Sequence, residues 1–567
     1  MPPLSARGPL LALACSVSGR PWAGPLLAGV VAALVVLICS WPVVLHPGSH
    51  IIGATQADFY GIAFGMDHLA RHLMAGSWPP MHTTQLEFPT GTALMVTDLP
   101  EMIVLVPVTR LFGPTVAFNI LQLMHHALAA SAAWWCARVL GLAPAGRAVT
   151  ALAFAFAPAL VGTTFNQNPD VSAWYWVPLA MGFAGSARGW RRAAAAGACA
   201  GLAAWFSPYA AVMAGVAMVL ALPGRDWRRW AAAVGTAALV GGGGALLAWW
   251  SVKDPSSAVH KPGAALALHG SAVLDGLLVP WPQVHTNLEW EASRIVHDGY
   301  LGVSLLIAGV AGFLWSRRWR WMLLAALAVL MAVGPVVEWP GVWRLHNPLW
   351  TIGNRLGMAR LWQYHRYAAL ALLALGLGAG FVAQRLGRWG WGLVVVVALD
   401  LLVVTGAWQR LGAAPAFDDG ACALLESLPE GAVYDLPPGS HELWLYGAAC
   451  HGRPVASGIN RLHSRYLGTV LEHSAGDDPA KRLAVLKAMD FRYLVFHPDA
   501  PLGVENDPMV ALAEGCTVAC NDAGVLVMDL QACALDLPEL DRLPKPRDPA
   551  RPDLRGPRAS EPPHGRR

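Results

Sequence analysis

Five carboxylates, Asp58, Asp67, Glu87, Asp98 and Glu101, fall within residues 53–114 of a chain in which only 13% of residues are charged. An ionised Asp58 could accept a proton from an attacking hydroxyl or hold a divalent metal. An aspartate opening a helix is equally a good N-cap. Asp98 and Glu101 bracket Leu99-Pro100 ahead of a short apolar run. Two carboxylates at one site can separate in pKa and divide acid and base duties, and the same two could instead cap that run and favour its positive end. On the first reading Asp58 and Asp98 are catalytic and Glu101 touches substrate.

Other polar groups stand out against apolar surroundings. In NQNPD, residues 166–170, Asn168 and Asp170 could bind a polar headgroup or merely satisfy a tight turn. Arg344, Arg355, Arg360, His365 and Arg366 gather within residues 343–367. Arginine clamps phosphate bidentately, so Arg360, His365 and Arg366 are candidate substrate ligands; the alternative is anchoring at a lipid interface beside Trp343, Trp350 and Trp362. His125, His126 and Asp400 lie inside apolar runs, where ionisable groups are expected to have a purpose. No C-x-x-C occurs, and His260, His269, His285 and His297 show no H-x-x-x-H pairing. A cofactor is therefore not implied, and a divalent cation, Mg or Mn, rests on Asp58 alone.

These residues must be positioned by a membrane bundle. With 55% hydrophobic residues and a mean hydropathy of +0.44, 567 residues are too apolar for a soluble protein. After a lead-in at 1–23, apolar runs at about 24–45, 115–140, 147–165, 172–187, 193–206, 209–223, 230–250, 299–316, 320–338, 366–384 and 389–407 suggest about eleven crossings. Two short runs flank Ser207-Pro208. Counting them separately leaves RGWRR at 188–192 and GRDWRR at 224–229 on one side, with SRRWR at 316–320 and QRLGR at 384–388, as the positive-inside rule requires. The N-terminus is then cytoplasmic, and residues 46–114 form the first external loop of a transmembrane domain at 24–407.

Within that loop, Phe59, Ile62, Met66, Leu69 and Leu73 make one stripe of an interfacial helix at about 57–75, with Asp67, His68, Arg71 and His72 elsewhere. Residues 99–113 read as a second, re-entrant or surface helix. From 408 to 540 the pattern is that of a small extracytoplasmic α/β domain, with strands at 432–436, 491–497 and 524–530 and a helix at 477–489. Cys516 and Cys520 flank a short strand and could pair in an oxidising compartment, with Cys422 and Cys450 as the other couple, though sequence alone does not set the connectivity. Residues 541–567, rich in proline and arginine, lack a core.

The layout resembles the glycosyltransferase C superfamily of polytopic bacterial membrane proteins and the YfhO-like proteins associated with lipid-linked glycosylation. The resemblance rests on the acidic first loop with Asp58, P-T-G at Pro89 to Gly91, DLP at 98–100 and GPTVAFN at 113–119. It continues through YLG at 300–302, Arg366-Tyr367, YDLPP at 434–438 and HGRPV at 451–455. It implies transfer of a sugar from a polyprenyl-phosphate carrier to a glycan, lipid or protein acceptor outside the cytoplasm, with inversion. Asp58 would be base or metal ligand, Asp98 or Asp67 a second acid, and Arg366 or Arg360 the phosphate clamp. A bacterial inner-membrane location follows, and no nucleic-acid partner. Two other classes stay open: a transporter or flippase of a lipid-linked saccharide, with Asp400 in its proton path, and a non-catalytic accessory protein of envelope glycan assembly.

Overall fold

A computed structural model describes residues 22–53, 58–78, 82–93, 98–168, 172–224, 226–253, 271–272, 274, 276–279, 299–339, 343–355, 363–416, 420–437, 443–458, 465–498 and 507–540. Asp170 and Arg360 lie outside them. The chain forms two units, one of residues 1–79, 96–248 and 261–417 and another of 80–95, 249–260 and 418–567.

The first unit is helical. Its longer helices are α1 (Ala23–Cys39), α2 (Asp58–Met74), α3 (Leu99–Phe112), α4 (Pro114–Val139), α5 (Pro144–Ala155), α6 (Pro158–Phe165), α7 (Trp176–Gly185), α8 (Trp190–Phe206), α9 (Pro208–Ala221) and α10 (Trp227–Lys253). They continue with α11 (Val303–Ser316), α12 (Trp319–Ala332), α13 (Pro348–Arg355), α14 (Ala368–Arg385) and α15 (Gly390–Ala398). Every apolar run of the sequence contains a helix, and the run at 320–338 ends in a strand, Val336–Trp339, paired with Trp343–His346. By length and hydropathy, three continuous stretches among the described residues can cross a bilayer: Pro144–Phe165, Tyr364–Arg385 and Gly387–Val404. The other apolar helices include five of 10–17 residues, so the eleven expected crossings are not all single full-length helices.

Helix α14 is the centre of this unit, buried without interruption from Ala368 to Gly380. Its LGLGAG segment explains the closeness of its neighbours. A Cβ on Gly380 would stand 3.0 Å from the Gly146 carbonyl of α5, and one on Gly378 2.4 Å from the Gly309 carbonyl of α11. In lipid, helices gain little from hiding apolar surface from one another, and small residues that let backbones meet supply the packing instead. Thr150 adds a hydrogen bond from its Oγ1 to the Gly376 carbonyl, 3.0 Å away.

Proline and serine decide the break between α8 and α9. Pro208 has no N–H for the helix that precedes it, and Ser207 Oγ accepts from the Ala210 N–H to start the next. The two helices pack against each other and against α7, which makes them two elements rather than one kinked rod.

The second unit has a four-stranded sheet in the order Ala432–Leu436, Phe491–Phe496, Leu526–Asp529, Thr517–Cys520. The first pair is parallel and the others antiparallel. Helix Pro479–Ala488, capped by the Asp478 carboxylate, buries Leu483, Val485 and Leu486 against it. Residues 85–88 join this unit through backbone bonds of Glu87 to Ser457 and Phe88 to Val455, and the Phe88 ring meets Phe491 edge-on at 5.1 Å. Cys422 bonds Cys450 as expected, whereas Cys516 bonds Cys533, not Cys520. Four residues of extended strand separate Cys516 and Cys520 by about 13 Å, beyond the reach of a disulfide.

Candidate functional site

The first-loop helices α2 and α3 pack on each other and on α4. Their entry is pinned by Asn119, in the GPTVAFN segment at the start of α4. Its Nδ2 donates to the carbonyls of Pro47 (3.1 Å) and His50 (2.8 Å), and its Oδ1 accepts from the Ile52 N–H at 2.9 Å. Gly53 follows with φ of 101°. Its N–H donates to the Gly412 carbonyl, and a Cβ would lie 2.4 Å from the Thr164 carbonyl, so only glycine lets the chain pass. Asp58 then opens α2 in a half-buried position, and the Phe59 ring stands edge-on to Phe118 of α4 at 4.9 Å.

The acid that precedes α3, Asp98, and the one in its first turn, Glu101, both come close to His125 of α4. Asp98 holds a left-handed backbone at φ 53°, is fully buried, and makes no side-chain capping bond. One turn on, Glu101 Oε1 accepts from the Tyr175 hydroxyl at 2.7 Å, and Oε2 lies 2.8 Å from His125 Nε2. Each of Asp98, Glu101 and His125 offers one ligating atom, and these atoms lie within 4.8 Å of one another. Asp58 is not a member of that group.

His125 Nε2 faces a carboxylate and so donates its proton there. That leaves Nδ1, which is buried with no hydrogen-bond partner among the described residues. One turn earlier on α4, Gln122 is also fully buried, with neither amide atom partnered. The adjacent His126 differs: Nδ1 donates to the Ala155 carbonyl (2.7 Å) and Nε2 meets Thr164 Oγ1 (2.9 Å), so this ring ties α4 to α5 and α6.

A second polar cluster surrounds the turn before α14. His365 and Arg366 are fully buried there, unlike Arg344 and Arg355, which are exposed. Lipid-interface anchoring by Arg366 is excluded by that burial; its guanidinium lies over the Tyr209 ring, 4.8 Å from the centroid. The Tyr209 hydroxyl accepts from the Gln363 N–H at 3.2 Å. Beside this turn lies a small cavity of about 30 Å³ lined by Leu330, Met331, Asn347, Trp350, Tyr364 and Tyr367.

Two expected sites have structural duties. Asn168 belongs to a turn, its N–H donating to the Thr163 carbonyl and its carbonyl accepting from Ser172 Oγ. Asp400 accepts from Tyr300 Oη (2.7 Å), the Ser304 N–H (2.8 Å) and Ser304 Oγ (2.5 Å), and so holds the first turn of α11 from a neighbouring helix. Reading the sequence missed Tyr175 as a partner of Glu101, since it stands between Trp174 and Trp176 with no local sign of that partner. His125 carried a signal, an ionisable group in an apolar run, without an indicated partner.

No family model matches the chain, and no curated protein sequence matches it. Solved structures do. The arabinofuranosyltransferase AftD from Mycobacteria superposes with a TM-score of 0.54 at 15% identity, covering 89% of this chain and 39% of AftD. A second AftD structure gives 0.53 at 18%, with 89% and 41% covered. ArnT from Cupriavidus metallidurans bound to undecaprenyl phosphate gives 0.48 at 15%, covering 90% of this chain and 99% of ArnT. This chain thus spans about two fifths of the length of AftD. The likeness to AftD shows a shared helical fold.

Proposed function

We propose that this protein is a membrane glycosyltransferase that moves a sugar from a polyprenyl-phosphate carrier to an acceptor hydroxyl outside the cytoplasm. The observation that carries the proposal is the buried group of Asp98, Glu101 and His125, in a fold shared with a known glycosyltransferase. Burying two carboxylates costs several kcal/mol unless positive charge offsets it.

In the reaction, the acceptor oxygen attacks the anomeric carbon and the bond from that carbon to the phosphate oxygen breaks. Its electron pair leaves with the polyprenyl phosphate, and attack from the opposite face inverts the centre. Asp58, at the half-buried head of α2, takes the hydroxyl proton. Arg366 stabilises the departing phosphate, its guanidinium held in place by the Tyr209 ring. The isoprenoid tail stays among the apolar helices, and its binding energy positions the reacting carbon.

Asp98, Glu101 and His125 fit a divalent cation. Their donor set is two carboxylates and an imidazole, which suits Mn better than Mg, since nitrogen is the softer donor. Glu101 is oriented by Tyr175, and Nδ1 of His125, with Nε2 turned to Glu101, is the one nitrogen that ring would offer. When bound, such an ion would neutralise charge on a phosphate. The two disulfides of the second unit support an oxidising compartment for it, which agrees with an inner-membrane protein whose C-terminal unit lies outside the cytoplasm.

The test is release of polyprenyl phosphate from a labelled polyprenyl phospho-sugar by the purified protein in liposomes. Release that depends on protein and acceptor supports transfer. Movement of intact donor across the bilayer without cleavage would instead make the protein a flippase.

A further inference from the structure

The end of the bundle remote from the acidic group carries two clefts that the transfer reaction does not use. One, of about 940 Å³, lies between the end of α4, the turn joining α7 to α8 and the start of α10, and presents Arg188, Arg191, Arg192 and Arg229. The other, of about 490 Å³, lies against the turn joining α11 to α12 and presents Arg317, Arg318 and Arg320. Gly185 and Pro223 line both, so the two share a wall. His125 and Val139 are 14 residues apart on the single helix α4, which places this end about 21 Å from the acidic group.

Little of the charge here is compensated among the described residues. Among the described residues, no acidic one lines either cleft. Among the described residues, Arg229 pairs with Asp226 at 3.1 Å, and no ion pair joins the other six arginines to a carboxylate. Helices α8 and α12 also begin here, each with no acid in its first turn and no side-chain cap, so their positive ends add to the same field. Positive-inside sorting needs arginines near a membrane end, but it does not need them to line a recess.

Apolar surface continues from the second cleft along the two helices that flank it. Leu314 and Ile307 of α11 and Leu323 and Leu330 of α12 are exposed. Trp190 and Trp319, at the starts of α8 and α12, are exposed as well, as tryptophans are at the headgroup level of a bilayer. A cationic recess that opens onto an apolar helix face matches a molecule with an anionic head and acyl chains.

We propose that these joined clefts bind the headgroup of an anionic phospholipid, with the phosphate among the arginines and the chains along α11 and α12. The site is independent of the proposed transfer. The whole protein, delipidated in neutral detergent, is titrated with phosphatidylglycerol or phosphatidylcholine and the bound lipid counted by native mass spectrometry. The wild type should retain phosphatidylglycerol about tenfold more tightly, and the preference should shrink as salt is raised. Replacing Arg188, Arg191, Arg192, Arg317, Arg318 and Arg320 together by Gln should abolish it, while Arg385→Gln with Arg388→Gln, outside the clefts, should leave it intact. Equal retention of the two lipids by the wild type overturns the proposal without reference to any variant. So does a preference that survives the six substitutions, or displacement of the lipid by millimolar glycerol 3-phosphate, which would make the ligand a soluble phosphate.

Discussion

His125 Nε2 and Glu101 Oε2 lie 2.8 Å apart, a contact between two helices whose residues are 24 positions apart in the chain. The Tyr175 hydroxyl holds the other oxygen of the same carboxylate. Glu101→Gln keeps the shape and removes the charge. It should lower sugar transfer by at least about a hundredfold and stability by about 1–3 kcal/mol, because a buried imidazole loses its ionic partner. Tyr175→Phe, which deletes one hydrogen bond, should cost only about 1 kcal/mol. Thermal unfolding of the detergent-solubilised protein, run beside the transfer assay, separates the two effects.

Metal content offers an independent reading of the same group. Purified protein dialysed against a chelator should lose a divalent ion and its transfer activity, and Mn should restore activity better than Mg. His125→Ala should weaken Mn binding by about tenfold or more, measured by titration calorimetry. Full activity after exhaustive chelation would leave Asp98, Glu101 and His125 as a structural network.

Asn119 is predicted to matter for both folding and transfer, although it touches no substrate. Asn119→Ala removes three hydrogen bonds to residues 47–52 and leaves backbone groups unsatisfied. The expected loss is about 2–4 kcal/mol of stability, taking roughly 1 kcal/mol per bond and a desolvation penalty. Transfer should fall at matched folded levels, because the segment leading to Asp58 is no longer fixed. Asn119→Asp, which retains the acceptor for Ile52, should be milder in stability.

The disulfides can be checked by peptide mapping without reduction. Cys422 should be found with Cys450 and Cys516 with Cys533, and Cys520, exposed and free, should alkylate. Cys533→Ser should cost about 3 kcal/mol, the value expected for closing a loop of this length.

The helices were legible because apolar runs between arginine clusters leave few alternatives, and the strands at 432–436 and 491–496 because β-branched and aromatic residues crowd there. The long-range partners were not. Nothing local to Tyr175 distinguishes it from Trp174 or Trp176 until α7 is laid against α3, and nothing in residues 85–88 announces that they will pair with residues 455–457. His68 illustrates the limit of periodicity: helical spacing put it off the apolar stripe of α2, yet it is buried and stacks on Phe64 at 5.6 Å. Both α3 and α4 pack on α2, and no pattern within residues 58–74 records those contacts.

The most direct test of the central proposal is transfer of labelled sugar from a polyprenyl phospho-sugar by wild type and Asp58→Asn at equal folded levels in liposomes. The account predicts transfer by the wild type and a loss of at least about a hundredfold in the variant, with unchanged thermal unfolding. Equal transfer by both proteins would contradict it and remove the base from the head of α2.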